Sequence, residues 1–209
     1  MMKKFLIFVA ILAITINANA QEKQVIYGIK AGFNLSQIST PSEKLNIEAS
    51  DLSAGFFVSG HANYSFGKIL GLQWEWSFSM QGGKGKLILE EEIEHSAAKF
   101  SFHYINIPVL LEVKPITNFS IFTGAQIGFI MYKGVSCMEK KIYGVDFEKA
   151  IETKFNPMDV AAVIGLQYAI EKKYLISARY NFGLTPIFDV EGVNGLANRV
   201  FQMGIGYQF

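Results

Sequence analysis

R-V-F-Q-M-G-I-G-Y-Q-F, the stretch at residues 199–209, alternates with a period of two. Phe201, Met203, Ile205, Tyr207 and Phe209 share one face of an extended strand, and Gln202, Gly204, Gly206 and Gln208 share the other. The length suits a tilted membrane-crossing strand of about 9–11 residues. Five large apolar side chains on one face need a cover. If lipid supplies that cover, backbone edges cannot stay open, so the pattern must repeat until the sheet closes on itself.

Seven further stretches repeat it, at about 25–35, 53–66, 70–80, 104–114, 119–132, 160–170 and 174–184. In the first, Val25, Tyr27, Ile29, Ala31, Phe33 and Leu35 face one way, against Ile26, Gly28, Lys30, Gly32 and Asn34. In the third, Leu70, Leu72, Trp74, Trp76, Phe78 and Met80 oppose Gly71, Gln73, Glu75, Ser77 and Ser79. No charged residue falls on the apolar face of any strand core, where each would cost roughly 2–4 kcal/mol at mid-membrane. The connections alternate long and short, as expected of extracellular loops and periplasmic turns. Two aromatic girdles are expected: Tyr27, Tyr64, Phe119, Tyr168, Tyr174 and Tyr207 at the periplasmic level, and Phe33, Phe56, Phe78, Phe129, Phe182 and Phe201 at the outer level. The fold expected is all-β, an eight-stranded antiparallel up-and-down transmembrane β-barrel. A soluble eight-stranded carrier would need the larger apolar face turned inward around a ligand. Here the narrow face of glycines and charges is the one that fits inside.

The other end of the chain agrees. Lys3 and Lys4 precede a twelve-residue apolar run, and Ala18-Asn19-Ala20 is a small-residue cleavage pattern. The run is too short to span a membrane as a helix, so residues 1–20 are expected to be an export signal and residues 21–209 the barrel domain. The chain is 50% hydrophobic and 14% aromatic, yet no later apolar stretch reaches helix-spanning length. A net charge of +1 gives no argument for nucleic acid, and the single cysteine, Cys137, excludes an internal disulfide.

An eight-stranded barrel is filled by its own side chains or holds one small ligand. The inward face carries Lys30, Glu75, Glu112, Lys114, Asp159 and Arg179 among many glycines. Three cations and three anions out of water must pair, so a structural charge network plugging the lumen is expected, with Lys30, Glu75 and Arg179 at similar depth and Glu112 nearer the periplasm. His103 and Ser101 lie near the outer rim, but the sequence gives no nucleophile, base and orienting acid at a telling spacing. Glu90, Glu91, Glu92 and Glu94 form a charge run that reads as a solvated surface rather than a metal site. His61 reads as a lumen filler and His95 as a loop residue. No catalytic residue, metal or cofactor is expected.

The segments GIKAGFNLS (28–36), LQWE (72–75), SMQGGK (79–84), YINIP (104–108), GAQIG (124–128), ARYNFGL (178–184) and GIGYQF (204–209) together resemble the PorT-like outer-membrane β-barrel proteins of the Bacteroidetes. The resemblance implies a small barrel of the OmpA/OmpX-like kind in the outer membrane. The founding member is linked to secretion, but the shared segments are barrel strands and do not carry that role over. Tyr207 and Phe209 resemble the terminal signal read by the barrel-assembly machinery. The expected function is a non-enzymatic surface protein, a monomer set in outer-membrane lipid whose four loops serve structure or an extracellular partner. The alternatives are an accessory role beside a secretion-system or uptake protein, and a rim enzyme acting on lipid.

Overall fold

The structure, a computed structural model, describes residues 25–39, 52–87, 96–137, 141–142, 145–146, 156–187 and 197–209. The expected export signal (1–20), the run Glu90, Glu91, Glu92 and Glu94, and His95 lie outside the described residues. Eight strands form the wall: β1 (Val25–Ser39), β2 (Ser53–Ser65), β3 (Leu70–Leu87), β4 (Ser96–Ile116), β5 (Phe119–Cys137), β8 (Met158–Ile170), β9 (Tyr174–Gly183) and β10 (Ala197–Gln208). Between β5 and β8 a small hairpin pairs β6 (Lys141–Ile142) with β7 (Val145–Asp146).

Each wall strand is antiparallel to its neighbour, and β1 pairs with β10 to close the barrel. The closing ladder runs from Gly28 opposite Gln208 to Ser39 opposite Ala197. The first and the last of the eight alternating stretches thus close the sheet on itself. Alternation sorts the side chains as anticipated. Ile29, Phe33, Trp76, Ile164, Tyr174, Met203 and Ile205 point outward and are more than half exposed, while Asn34, Glu75, Ser79, Tyr104 and Leu175 are buried inside. Ala62 lies on the outer face yet is buried, because the ladder sets it between Tyr27 and Trp74. No helix among the described residues is long and apolar enough to cross a membrane.

The expected strand ends need correcting at one rim. Alternation ends the third strand near residue 80, starts the fourth at 104 and ends the fifth at 132. In the structure β3 and β4 stay paired from Gln81 opposite Phe102 out to Leu87 opposite Ser96, and β4 and β5 out to Ala98 opposite Cys137. Most of the second expected loop, and residues 133–137 of the third, are thus paired sheet. Outside lipid neither face must be apolar, so the ladder continues without its period-two signature. A bulge accompanies the extension. His103 pairs with Tyr132 and Tyr104 with Ile130, which leaves Met131 unmatched and makes Met131 and Tyr132 consecutive outward residues.

The opposite rim is tight. In the turn after β8, Glu171 and Lys172 both take positive φ (51° and 59°), and the Lys173 N–H donates to the Ile170 carbonyl at 3.0 Å. That is the backbone of a two-residue hairpin turn whose twist matches the strands. Asn118 (φ 70°) serves the turn after β4. Short turns and both strand termini mark this rim as periplasmic, and the extended sheet lies at the extracellular rim.

Candidate functional site

Three layers fill the interior. In the middle, the Lys30 Nζ donates to Glu75 Oε1 at 2.6 Å, and the Arg179 Nη1 donates to Glu75 Oε2 at 2.6 Å. The Gln73 Nε2 also donates to Glu75 Oε1 at 2.6 Å. Lys30, on β1, reaches Gln167 on β8 as well, at 3.4 Å. Phe122 and Phe57 lie under these cations, with Lys30 Nζ 5.9 Å and the Arg179 guanidinium carbon 5.6 Å from the ring centres. Leu110, Phe122 and Val163 make this layer apolar on the side of β4, β5 and β8. A cavity of about 20 Å³ remains beside Lys30, Glu75 and Arg179, room for roughly one water molecule.

Nearer the periplasm, Glu112 is buried under three donors. They are Asn63 Nδ2 at 2.6 Å, Ser120 Oγ at 2.6 Å and the partly exposed Lys114 Nζ at 3.1 Å. Toward the outer rim the interior is neutral apart from Asp159. Asn34 donates to Ser79 Oγ at 2.8 Å and accepts from Gln202 Nε2 at 2.6 Å, while Gln202 Oε1 accepts from Asn181 and Arg179. Asn198 and Gln81 join at the rim.

Glycines make room for the long polar groups. A methyl at Gly165 would lie 2.7 Å from Arg179 Cβ, at Gly206 2.6 Å from Lys30 Cγ, and at Gly71 2.7 Å from a Glu112 carboxylate oxygen. The inward glycines and the inward charges are one packing solution.

Of the six charged residues singled out in the sequence, five fall into two groups, Lys30–Glu75–Arg179 and Glu112–Lys114. The expectation of three cations meeting three anions needs amending at Asp159. Its carboxylate accepts from the Thr185 hydroxyl at 2.9 Å near the outer mouth, and no described lysine or arginine forms an ion pair with it. The physical reason is position: Asp159 is the second residue of β8, opposite Gly128, well above the layer that holds the cations.

The outer mouth holds a feature that alternation did not signal. Ile187 is buried with Ile38, Phe102 and Tyr104. The segment carrying it is tied down by Leu184 N–H to the Val160 carbonyl (2.7 Å) and by Asn156 N–H to the Ile187 carbonyl (2.8 Å). One apolar residue after a strand end is too short a signal to read from sequence.

His103 lies on the outer face, its ring 5.8 Å from Phe78 and 4.9 Å from Tyr132. A general base needs a nucleophile within reach and a group that orients it, and among the described residues no hydrogen bond ties His103 to either. His61 is buried between Gly28 and Glu75 in the ladder, as a filler would be. Among the described residues, no group of three or more histidine, cysteine, aspartate or glutamate side chains is placed to hold a metal ion. At the periplasmic end, the Tyr207 ring sits between Tyr174 (5.7 Å) and Phe209 (5.5 Å), and Phe209 itself is largely exposed.

The barrel has known counterparts. Ail, the attachment invasion locus protein of Yersinia pestis, is 15% identical and superposes with a TM-score of 0.51, covering 90% of this chain and 100% of that one. At that identity the likeness is one of fold. OprG of Pseudomonas aeruginosa is 14% identical with a TM-score of 0.48, covering 90% of this chain and 97% of its own. Neisserial surface protein A is 14% identical with a TM-score of 0.46, covering 87% and 95%. No curated protein matches the sequence. The family profile described as outer membrane protein beta-barrel domain matches residues 19–189, and β10 then completes the wall beyond it. The chain belongs to this outer-membrane β-barrel family and resides in the outer membrane.

Proposed function

We propose that this is a non-enzymatic surface protein whose lumen is closed by its own side chains and whose work is done at the extracellular rim. The observation that carries this reading is the contrast between the two ends of the wall. The periplasmic rim stops at tight turns, whereas β3, β4 and β5 continue outward as a three-stranded sheet past the level where β2 and β8 begin. Such a projection offers a partner a surface beyond the membrane, and a lumen filled at the levels of Glu75 and Glu112 is a poor route for solutes. Residues 1–20 serve export and are removed, the six lumen charges act structurally, and Tyr207 with Phe209 present the assembly signal. The protein works as a monomer in lipid, with a PorT-like ancestry and an extracellular partner at the projecting sheet.

Two measurements test this. The purified wild-type protein in planar bilayers is expected to show no steady conductance; large, stable single-channel currents would move the function to transport. Deleting residues 84–98 and joining the cut ends by a tight turn is expected to leave a heat-modifiable, folded barrel. The same deletion is expected to abolish the cross-links that the full-length protein forms on intact cells. Cross-links that survive the deletion would remove the projecting sheet from the function.

A further inference from the structure

The middle layer of the lumen is not electrically balanced. Lys30 and Arg179 converge on a single carboxylate, Glu75, with both cations and the anion removed from bulk water. Neither remaining acid supplies the missing charge in full. Glu112 attracts Lys30 from the layer below, but its carboxylate is already paired with Lys114, and Asp159 is bound to Thr185 near the outer mouth. A buried surplus charge is costly unless something of opposite sign meets it.

The donors are not exhausted either. Glu75 turns both oxygens to its partners. Arg179 uses Nε on Gln202 and Nη1 on Glu75, while its Nη2 is buried without a partner. Lys30 has three protons, and two acceptors lie within hydrogen-bond reach. The cavity of about 20 Å³ lies where these groups meet, lined by Lys30, Arg179, Gln167, Ser177, Phe57 and Phe122 among others. Positive charge, spare N–H donors and space for one small particle therefore coincide.

We propose that this cavity binds one small monovalent anion of the halide class, chloride in the natural setting, held by Lys30 and Arg179. Size selects the class: room for about one water admits a halide and excludes phosphate, sulfate or a carboxylic acid. The Glu75 carboxylate lines the same cavity and repels an anion, but its charge is already met by three donors. The ion completes the neutralisation of a cluster that joins β1, β3 and β9, so it fastens three strands across the axis. This inference does not depend on what the outer rim binds.

The test uses the folded, full-length mature barrel. Thermal unfolding is followed in sodium chloride, bromide or gluconate at equal ionic strength, and crystals grown in bromide are measured for anomalous scattering. The expected result is a saturable rise of the unfolding midpoint with chloride and bromide but not gluconate, and a bromide peak between Lys30 and Arg179. Arg179→Gln leaves one cation for one carboxylate and is expected to lose both the peak and the halide dependence. Lys30→Met does the same from the other side and serves if the first variant fails to fold. Equal midpoints in chloride and gluconate overturn the proposal, whether or not a peak appears, since a peak alone is then an adventitious ion only. A halide shift that persists in both variants overturns it too, because the ion then sits elsewhere.

Discussion

On β8, Ile164 and Leu166 lie against lipid, while Val163, Gly165 and Gln167 lie in a packed interior. The two walls share one backbone and differ in what they ask of a residue. The outer wall asks for an apolar surface and little else, since hydrocarbon adapts to any shape. The inner wall asks for a particular partner at a particular distance, as Glu75 shows with Lys30 and Arg179 each at 2.6 Å. Substitution tolerance should therefore switch along each strand with a period of two, being broad outside and narrow inside.

The strongest test of that contrast is Glu75→Ala. It removes the acceptor shared by Lys30, Arg179 and Gln73 and strands two buried cations. Breaking a buried pair costs about 3–5 kcal/mol, and a loss in this range or above is expected in urea titrations of the barrel in detergent or liposomes. A loss under about 1 kcal/mol, the scale of a tolerated apolar swap, would show the inner wall to be as permissive as the outer.

Next comes a break on the lipid side. Ile164→Arg puts a charge at the middle of β8 and is expected to cost about 2–4 kcal/mol, whereas Ile164→Leu should cost well under about 1.5 kcal/mol. The same titration reads both. If arginine were neutral there, that stretch of wall would not face hydrocarbon.

The smallest effect belongs to the periplasmic turn, which has neither lipid nor lumen to answer to. Lys172 holds φ at 59°, a conformation that costs a side-chain-bearing residue roughly 1–2 kcal/mol. Lys172→Gly is expected to raise stability by about 1 kcal/mol, seen as a higher urea midpoint with an unchanged slope. A lowered midpoint would mean that the lysine side chain stabilises the turn by more than its backbone strain costs.

The two walls were also unequally legible. The outer wall can be read residue by residue, because lipid imposes one rule on every second position from Tyr27 to Phe209. The inner wall can be read by level: the distance of Lys30, Glu75 and Arg179 from their strand ends puts them at one depth, and there they meet. The neutral partners, such as Gln73 and Gln202, depend on how far each strand slides past its neighbour, and no local pattern encodes that slide. The same gap explains Asp159, whose inward direction is legible and whose level above the cations is not. Above the membrane the rule lapses altogether. The ladder from Gln81 to Leu87 is therefore only half legible: partial alternation in Lys86–Glu94 suggests that the flanking strands project, but not how far they stay paired. The bulge at Met131 is hidden because the residues on either side of it remain plausible strand formers.

The seam between β1 and β10 has a consequence in time. The Phe209 N–H donates to the Tyr27 carbonyl and the Gln208 N–H to the Lys173 carbonyl, so the end of β10 is bonded to the first strand and to the turn before β9. Contacts between chain ends are slow to form, because the whole intervening chain must be ordered before they are gained. Until β10 is in place the sheet has two raw edges and nothing to join them. The wall can therefore shut only once β1 and β10 are both present, whatever the order in which the other strands pair.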